Sequence, residues 1–230
     1  MKSYYDLFRQ SREIIKERVH PFVRYFNGLE PIADIGCGRG EFLELLKNNN
    51  IECIGVDSDI DMIDLCLKAG LRAKHEELFN FMNSAIGYGG LFISHVIEHL
   101  NGDDAEKMIA LGFVSLRPGG RMVIITPNPE NISVMTKAFW LDPTHIRPYP
   151  LALLCEMLKE AGFNIISSGG APGTFSSIRF YRMRRFLAGL ILPPVGIRPM
   201  WDYLHTAQDI YIVGEKPNSG VQSGATGNEI

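Results

Sequence analysis

From Gly28 onward, runs of four to seven apolar or β-branched residues alternate with helix-length amphipathic stretches. That alternation predicts βαβ units around a parallel sheet, an α/β fold. Strands are expected at Ile32–Ile35, Glu52–Val56, Leu71–Lys74, Gly90–Ser94, Arg121–Thr126, Phe163–Ser168 and Asp209–Gly214. Helices are expected between them at Glu41–Asn48, Ile60–Lys68, Phe79–Ser84, Asp103–Leu116 and Leu151–Ala161, with Pro118-Gly119-Gly120 stopping the fourth. Ahead of the alternation, Leu7, Phe8, Ile14, Ile15, Val19, Phe22 and Phe26 recur at helical spacing, so residues 3–27 read as one helix, which Pro21 is expected to bend or interrupt. Two stretches break the pattern: residues 127–149, rich in Pro, Asn and aromatics, and residues 169–208 before the last strand. Insertions of this length on a rigid sheet usually carry function, and both are expected to cap a substrate site. The tail 217–230 has too little apolar content to fold and is expected to be disordered.

Composition narrows the class. With 230 residues, 46% hydrophobic and 21% charged, the chain can bury one full core, so residues 1–216 are expected to form a single domain. A net charge of -3 removes the sequence-independent attraction to phosphate backbones and argues against a general nucleic-acid binder. No apolar run approaches the roughly 20 residues that span a bilayer, and charged residues occupy the N-terminus where a signal peptide is apolar. A cytoplasmic location follows as the expectation. Cys37, Cys53, Cys66 and Cys155 are scattered without a C-x-x-C pair, which suggests neither a disulfide framework nor a thiolate metal site.

The strongest chemical signal is ADIGCGRGEF, a short strand followed by Gly36, Gly38 and Gly40 and then a helix. Alternating glycines let the chain turn with positive φ and let a ligand lie against bare backbone at the carboxyl edge of the sheet. A dinucleotide site would place pyrophosphate on the helix N-terminus, where this sequence has the anion Glu41. With Asp34 beside the loop, the pattern points to a ligand that lacks phosphate and carries positive charge. Asp57, 21 residues after Gly36 at the end of CIGVD, is placed to accept hydrogen bonds from ribose hydroxyls.

These residues resemble class I S-adenosylmethionine-dependent methyltransferases: DIGCGRGEF their first motif, GVDSD their second-strand acid, LRPGGRMVIITPN their loop and fifth strand. The resemblance spans roughly residues 1–216. It implies a Rossmann-like, doubly wound, seven-stranded sheet whose last strand, DIYIVGEKP, runs antiparallel. It also implies that Glu77, with Glu76 as the alternative in HEEL, approaches the adenine. Cys37, Ser58, Leu78 and His95 complete the expected cofactor contacts.

A second cluster, SHVIEHL, closes the fourth strand; His95, Glu98 and His99 at i, i+3 and i+4 would share one face of a helical turn. H-x-x-E-H is also the inverted zincin pattern, but that reading requires a long helix and this segment follows a strand directly. Lining the floor of a methyl-transfer pocket fits better. A third cluster, FWLDPTHIRPY, carries Trp140, Asp142, His145, Arg147 and Tyr149 on a loop stiffened by Pro143 and Pro148. An aromatic face with hydrogen-bonding groups suits a sugar, so Trp140, Asp142, Arg147 and Tyr149 are the expected substrate contacts.

The whole set resembles bacterial methyltransferases that modify polysaccharides and their lipid-linked precursors and, more weakly, small-RNA ribose 2′-O-methyltransferases. In the RNA enzymes the segment after the fourth strand is E-x-x-E-H and binds a divalent metal together with a later histidine. Glu98, His99 and His145 match three of those ligands, and His95 stands in place of the first glutamate. That set would favour Mn, Fe, Co or Zn over Mg. The expected function is S-adenosylmethionine-dependent O-methylation of a sugar hydroxyl. His99 or His145 would act as base, or His95, Glu98, His99 and His145 would hold a metal. Finally, arginines 179, 182, 184 and 185 adjoin an apolar stretch, 186–197. Packing over the substrate cleft is the simpler reading of residues 180–201, and peripheral contact with the inner membrane face is the functional one.

Overall fold

The computed structural model describes residues 10–174 and 206–218. Seven strands form one sheet: β1 (Ile32–Ile35), β2 (Cys53–Asp57), β3 (Ala73–His75), β4 (Tyr88–Ser94), β5 (Leu116–Pro127), β6 (Asn164–Gly170) and β7 (Asp209–Glu215), in the order β3-β2-β1-β4-β5-β7-β6. The first five run parallel, whereas β7 is antiparallel to both β5 and β6. Among the described residues six α-helices accompany them: α1 (Arg12–Val19), α2 (Glu41–Asn48), α3 (Ile60–Lys68), α4 (Leu78–Ser84), α5 (Gly102–Ser115) and α6 (Leu151–Glu160). This is the α/β, Rossmann-like sheet with an antiparallel last strand that the sequence led us to expect.

Strand periodicity splits the core between two faces. On one, Leu91 and Ile93 of β4 and Met122 and Ile124 of β5 meet Met108 and Ile109 of α5 and Leu154 and Leu158 of α6. On the other, Phe92, Val123 and Val213 meet Phe22 and Phe26 from the N-terminal segment and Phe42 and Leu46 of α2. Phe42 stacks on Phe92 with ring centroids 3.7 Å apart, and Phe26 presents its edge to both. Gly90 leaves room for that triad, since a Cβ there would lie 2.4 Å from the Phe26 ring.

Three boundaries differ from expectation. The N-terminal helix does not run to residue 27: it is interrupted just before Pro21, ending at Val19, and His20–Tyr25 tighten into 3-10 turns with proline near their start. Residues 3–9 of that helix lie outside the described residues. Helix α5 stops at Ser115, and β5 begins at once with Leu116, because the Pro118-Gly119-Gly120 segment joins the sheet. Gly119 donates to the Lys216 carbonyl at 2.8 Å, and Gly120 accepts from the Lys216 amide at 2.8 Å. The third strand is three residues, Ala73–His75, displaced toward the carboxyl edge from Leu71–Lys74. Most of insertion 169–208, the segment 180–201 and residues 219–230 also fall outside the described residues. No helix among the described residues is long and apolar enough to cross a membrane.

Phe92 is 1% exposed and joins three aromatic neighbours. Truncation of Phe92 to alanine should cost about 3–5 kcal/mol by loss of buried surface and creation of a cavity, read as a lowered denaturation midpoint at unchanged m. A loss below about 1 kcal/mol would mean that the aromatic layer is not a principal part of the core.

Candidate active site

The strand order reverses between β1 and β4, which opens a crevice at the carboxyl edge of the sheet. A cavity of about 860 Å³ occupies it, running from the glycine loop after β1 to the insertion after β5. Its walls include Asp34, Gly36, Cys37, Gly38, Asp57, Ser58, Glu76, Glu77, Leu78 and His95, nearly the whole expected cofactor set.

Each glycine of the loop has its own reason. Gly36, Gly38 and Gly40 all have positive φ, between 51° and 77°. A Cβ on Gly36 would press on Val96 Cγ2 at 2.5 Å, whereas a Cβ on Gly38 would meet no protein atom within 4 Å and would enter the space left for a ligand. Gly40 corrects the expectation that it touches cofactor. It is the N-cap of α2, outside the cavity lining, and a Cβ there would strike Leu71 and Cys66.

Asp57 ties the loop to β2: Oδ2 accepts from the Gly38 amide at 2.8 Å and Oδ1 from the Asp59 amide at 2.9 Å. Each carboxylate oxygen keeps a further lone pair for a ligand. Asp34 is buried at 3% exposure, and its pKa lies well above the ordinary carboxylate value. Burial is the main cause, reinforced by negative charge on Cys66, Asp57 and Glu41.

The second half of the cavity is organised around Glu98, which has no solvent exposure. Its Oε1 lies 3.1 Å from His95 Nδ1, and its Oε2 accepts from the Thr126 hydroxyl at 3.0 Å. Its backbone carbonyl accepts from the amides of Ile146 and Arg147 at 2.8 and 3.3 Å. Burial opposes ionisation of Glu98, but hydrogen bonding and charge from His95 outweigh it and hold its pKa below the ordinary value. His95 follows the strand with φ +56°, a left-handed conformation uncommon outside glycine. Its Nε2 faces Asp209 at 3.9 Å. The ring is half exposed to the cavity, and the surrounding protein disfavours the imidazolium, yet Asp209 and Glu98 raise the His95 pKa to about 9.

His95, Glu98 and His99 therefore do not share a helical face: Ile97–His99 is a single 3-10 turn, and His95 stands outside it. The structure brings together Glu98, His99 and His145, with one donor atom from each within 4.8 Å of the others. His95 is not in that group; it pairs with Glu98 instead. The hydrogen bonds assign the tautomers of the other two histidines. Thr144 Oγ1 donates to Asp142 Oδ1 at 2.6 Å, so it accepts from His99 Nδ1 at 2.9 Å. His145 Nδ1 donates to the Phe139 carbonyl at 2.6 Å. In the neutral rings Nε2 then carries the lone pair, and both rings line the cavity with centroids 4.7 Å apart.

Of the expected substrate residues, Asp142 lines the cavity. Tyr149 is a correction: it is fully buried and donates to the carbonyls of Leu100 and Asn101, so it holds the insertion down. Arg147 lies over the Tyr149 ring, 5.0 Å from its centroid, away from the cavity. Trp140 stands 61% exposed on the outer surface, its indole N–H donating to the Met135 carbonyl. Asp209, Gln208 and Arg18 line the cavity and were not singled out from sequence. Asp209 had one available signal, an acid opening an otherwise apolar strand.

Comparison with known proteins agrees with this geometry. Residues 5–168 match the family model of a methyltransferase domain. The chain belongs to that methyltransferase family. None of the curated proteins matches it. Among solved structures, an S-adenosylmethionine-dependent methyltransferase from Archaeoglobus fulgidus is 29% identical, covering 93% of this chain and 98% of that one with a TM-score of 0.76. A chain from the complex between the Haloferax volcanii Trm112 methyltransferase activator and the putative methyltransferase is 13% identical, with coverages of 96% and 99% and a TM-score of 0.66. Magnesium protoporphyrin IX methyltransferase from Synechocystis PCC 6803, with bound S-adenosylhomocysteine, is 15% identical over 89% and 84% at a TM-score of 0.59. This chain is accordingly an S-adenosylmethionine-dependent methyltransferase, and the residues present fit that cofactor: bare backbone at Gly38, acceptors on Asp57 and an acid at Asp34.

Two outcomes follow. Gly38→Val should abolish S-adenosylhomocysteine binding, and Asp57→Ala should weaken it by about 1.5–3 kcal/mol, both measured by calorimetry; unchanged affinity in both variants would displace the cofactor from this loop. A cationic cofactor favours the ionised form of Asp34, whose pKa in the free protein is raised. Binding should then release a proton, and affinity for S-adenosylmethionine should rise as pH increases through that pKa. Binding enthalpies that are identical in buffers of different ionisation heat would contradict it.

Proposed function

We propose that this methyltransferase acts on a sugar hydroxyl of a polysaccharide or lipid-linked glycan precursor. One observation carries the reading: His99 and His145 line the cavity that holds the glycine loop, with Glu98 buried behind them and one donor atom from each of the three within 4.8 Å of the others. A hydroxyl has too high a pKa to be methylated without losing its proton as the C–O bond forms, so acceptors at that place suit oxygen as the nucleophile. S-adenosylmethionine supplies a methyl group already activated on a sulfonium.

His145 Nε2 takes the hydroxyl proton in the metal-free form, with Nδ1 fixed on the Phe139 carbonyl so that the lone pair keeps its aim. His99 is oriented in the same way through Thr144 and Asp142. The chain's part is otherwise positional, holding the hydroxyl in line with the methyl carbon. One carboxylate and two imidazoles are also a donor set for a divalent cation such as Mn, Fe, Co or Zn. Held by Glu98, His99 and His145, that ion would lower the pKa of the hydroxyl. Asp142 and Thr144, beside the histidines, offer the hydrogen-bonding groups that a polyhydroxylated substrate needs. The net charge of -3 disfavours ribose methylation in RNA, the competing substrate.

The test is transfer of labelled methyl to fractionated cell glycans and to small RNA, with and without EDTA. Glycan labelling is expected, with RNA unlabelled. Under metal activation, EDTA abolishes transfer while S-adenosylhomocysteine affinity stays unchanged. His99→Ala and His145→Ala then each lose most of the rate, and the double variant loses little more. Under base catalysis EDTA has no effect and one substitution dominates. Near-normal turnover in both alanine variants would remove the cluster from the chemistry, and labelling of RNA alone would overturn the glycan assignment.

A further inference from the structure

Cys37 and Cys66 come from different βα units and meet beneath the glycine loop. Cys37 belongs to the loop after β1 and Cys66 to the last turn of α3; with Leu43, Ile63 and Leu71 they form a small buried cluster. Both thiols reach the same acceptor, since the Gly38 carbonyl lies 3.3 Å from Cys66 Sγ and 3.9 Å from Cys37 Sγ. They also share a hydrogen bond, which lowers the Cys66 pKa and raises that of Cys37. The pair therefore gives up its first proton from Cys66, and Cys37 donates to the thiolate so formed. Cys66 has no solvent exposure, whereas Cys37 lines the cavity. Cys53, packed against the same cluster, donates to the Leu43 carbonyl at 3.8 Å, and burial pushes its pKa up to about 11.

Gly38 is the residue whose bare backbone faces the ligand space, and it is held from two sides: Asp57 Oδ2 accepts from its amide, and the two thiols donate to its carbonyl. Cys37 has little freedom to move alone, because it packs tightly on β2; a Cβ on Gly55 would lie 2.7 Å from Cys37 Sγ. A disulfide of about 2.05 Å is far shorter than the hydrogen bond it would replace. It would also take both S–H donors from the Gly38 carbonyl and draw the loop toward α3.

We propose that Cys37 and Cys66 are a redox site, at which a small peroxide entering the cavity forms a disulfide that distorts the glycine loop and weakens cofactor binding. This rests on the cofactor assignment made above. With hydrogen peroxide, the Cys37 sulfur attacks one oxygen while its proton passes to the Cys66 thiolate. The O–O bond breaks, leaving a sulfenic acid on Cys37 and a hydroxide that takes up the proton Cys66 first released. The Cys66 sulfur then attacks the Cys37 sulfur, the S–O bond breaks, and the departing hydroxide leaves as water with the Cys66 proton. Two thiols are oxidised by two electrons and the peroxide is reduced to two waters. Because Cys37 is reached through the cavity, bound cofactor shields the pair, so oxidation and cofactor binding oppose each other.

The experiment treats the full chain with hydrogen peroxide, with and without saturating S-adenosylhomocysteine, and reads intact mass, peptide maps and binding by calorimetry. Oxidised protein should lose two hydrogens, yield a peptide pair joined through Cys37 and Cys66, and bind S-adenosylhomocysteine at least about 10-fold more weakly, with recovery after dithiothreitol. The ligand should slow the reaction. Cys66→Ser and Cys66→Ala should form no cross-link and instead gain oxygen at Cys37. A cross-link to Cys53 in place of Cys66, or no cross-link at all, would overturn the proposal. So would a Cys37–Cys66 disulfide that leaves affinity within about twofold of the reduced protein, and in that case the cofactor assignment would stand. If the reduced protein failed to bind S-adenosylhomocysteine, the cofactor assignment itself would fall, and this proposal with it.

Discussion

A carboxylate without solvent contact can remain ionised only if it is surrounded by donors, and Glu98 meets that condition by drawing the ends of two strands together. His95 comes from the end of β4 and Thr126 from the end of β5, while the backbone carbonyl of Glu98 accepts from the amides of Ile146 and Arg147 in the insertion that follows β5. Removing either side-chain partner would leave a buried charge underused. The ends of two central strands are thus tied by the Glu98 side chain, and the loop over them by the backbone carbonyl of the same residue. The orientation of the histidine pair follows from this. His145 adjoins Ile146, whose amide is bound to Glu98, and His99 is the residue after Glu98.

The cofactor half relies on a similar device. Asp57 fastens the glycine loop to the end of β2 by accepting two backbone N–H groups, so the loop keeps its shape around an open space instead of collapsing into it. Three backbone positions with positive φ, a buried Asp34 with a raised pKa and a fixed Asp57 make a concave, acidic surface. Such a surface suits a cation and repels phosphate. The two halves share one cavity because both lie at the carboxyl edge where the strand order reverses.

Much of this was legible in the sequence, and the exceptions have physical reasons. Strands β1, β2, β4 and β5 announce themselves because apolar residues on both faces of a parallel sheet leave few alternatives. The glycine loop and Asp57 are local in sequence, so spacing alone placed them. The contact between Glu98–His99 and His145 spans 46 residues, and only the resemblance to metal-binding relatives suggested it. Tyr149 was misread because composition cannot tell an aromatic residue on a loop surface from one that pins the loop to the core, and Leu100 and Asn101 carbonyls make it the latter. The helical reading of His95, Glu98 and His99 failed because the chain leaves β4 through a left-handed residue, which periodicity does not reveal. Arg18 and Asp209 stayed hidden for a related reason: a lone charge on a helix or at a strand end acquires meaning only once the fold shows what it faces.

The account's central claim is that one cavity presents the methyl donor to the Glu98, His99 and His145 cluster. A crystal structure of the protein with S-adenosylhomocysteine tests it most directly. The account predicts the nucleoside against the glycine loop and Asp57, and the sulfur directed at the imidazoles of His99 and His145 across a gap that fits a sugar hydroxyl. A sulfur directed away from both imidazoles, with protein atoms between them, would contradict it.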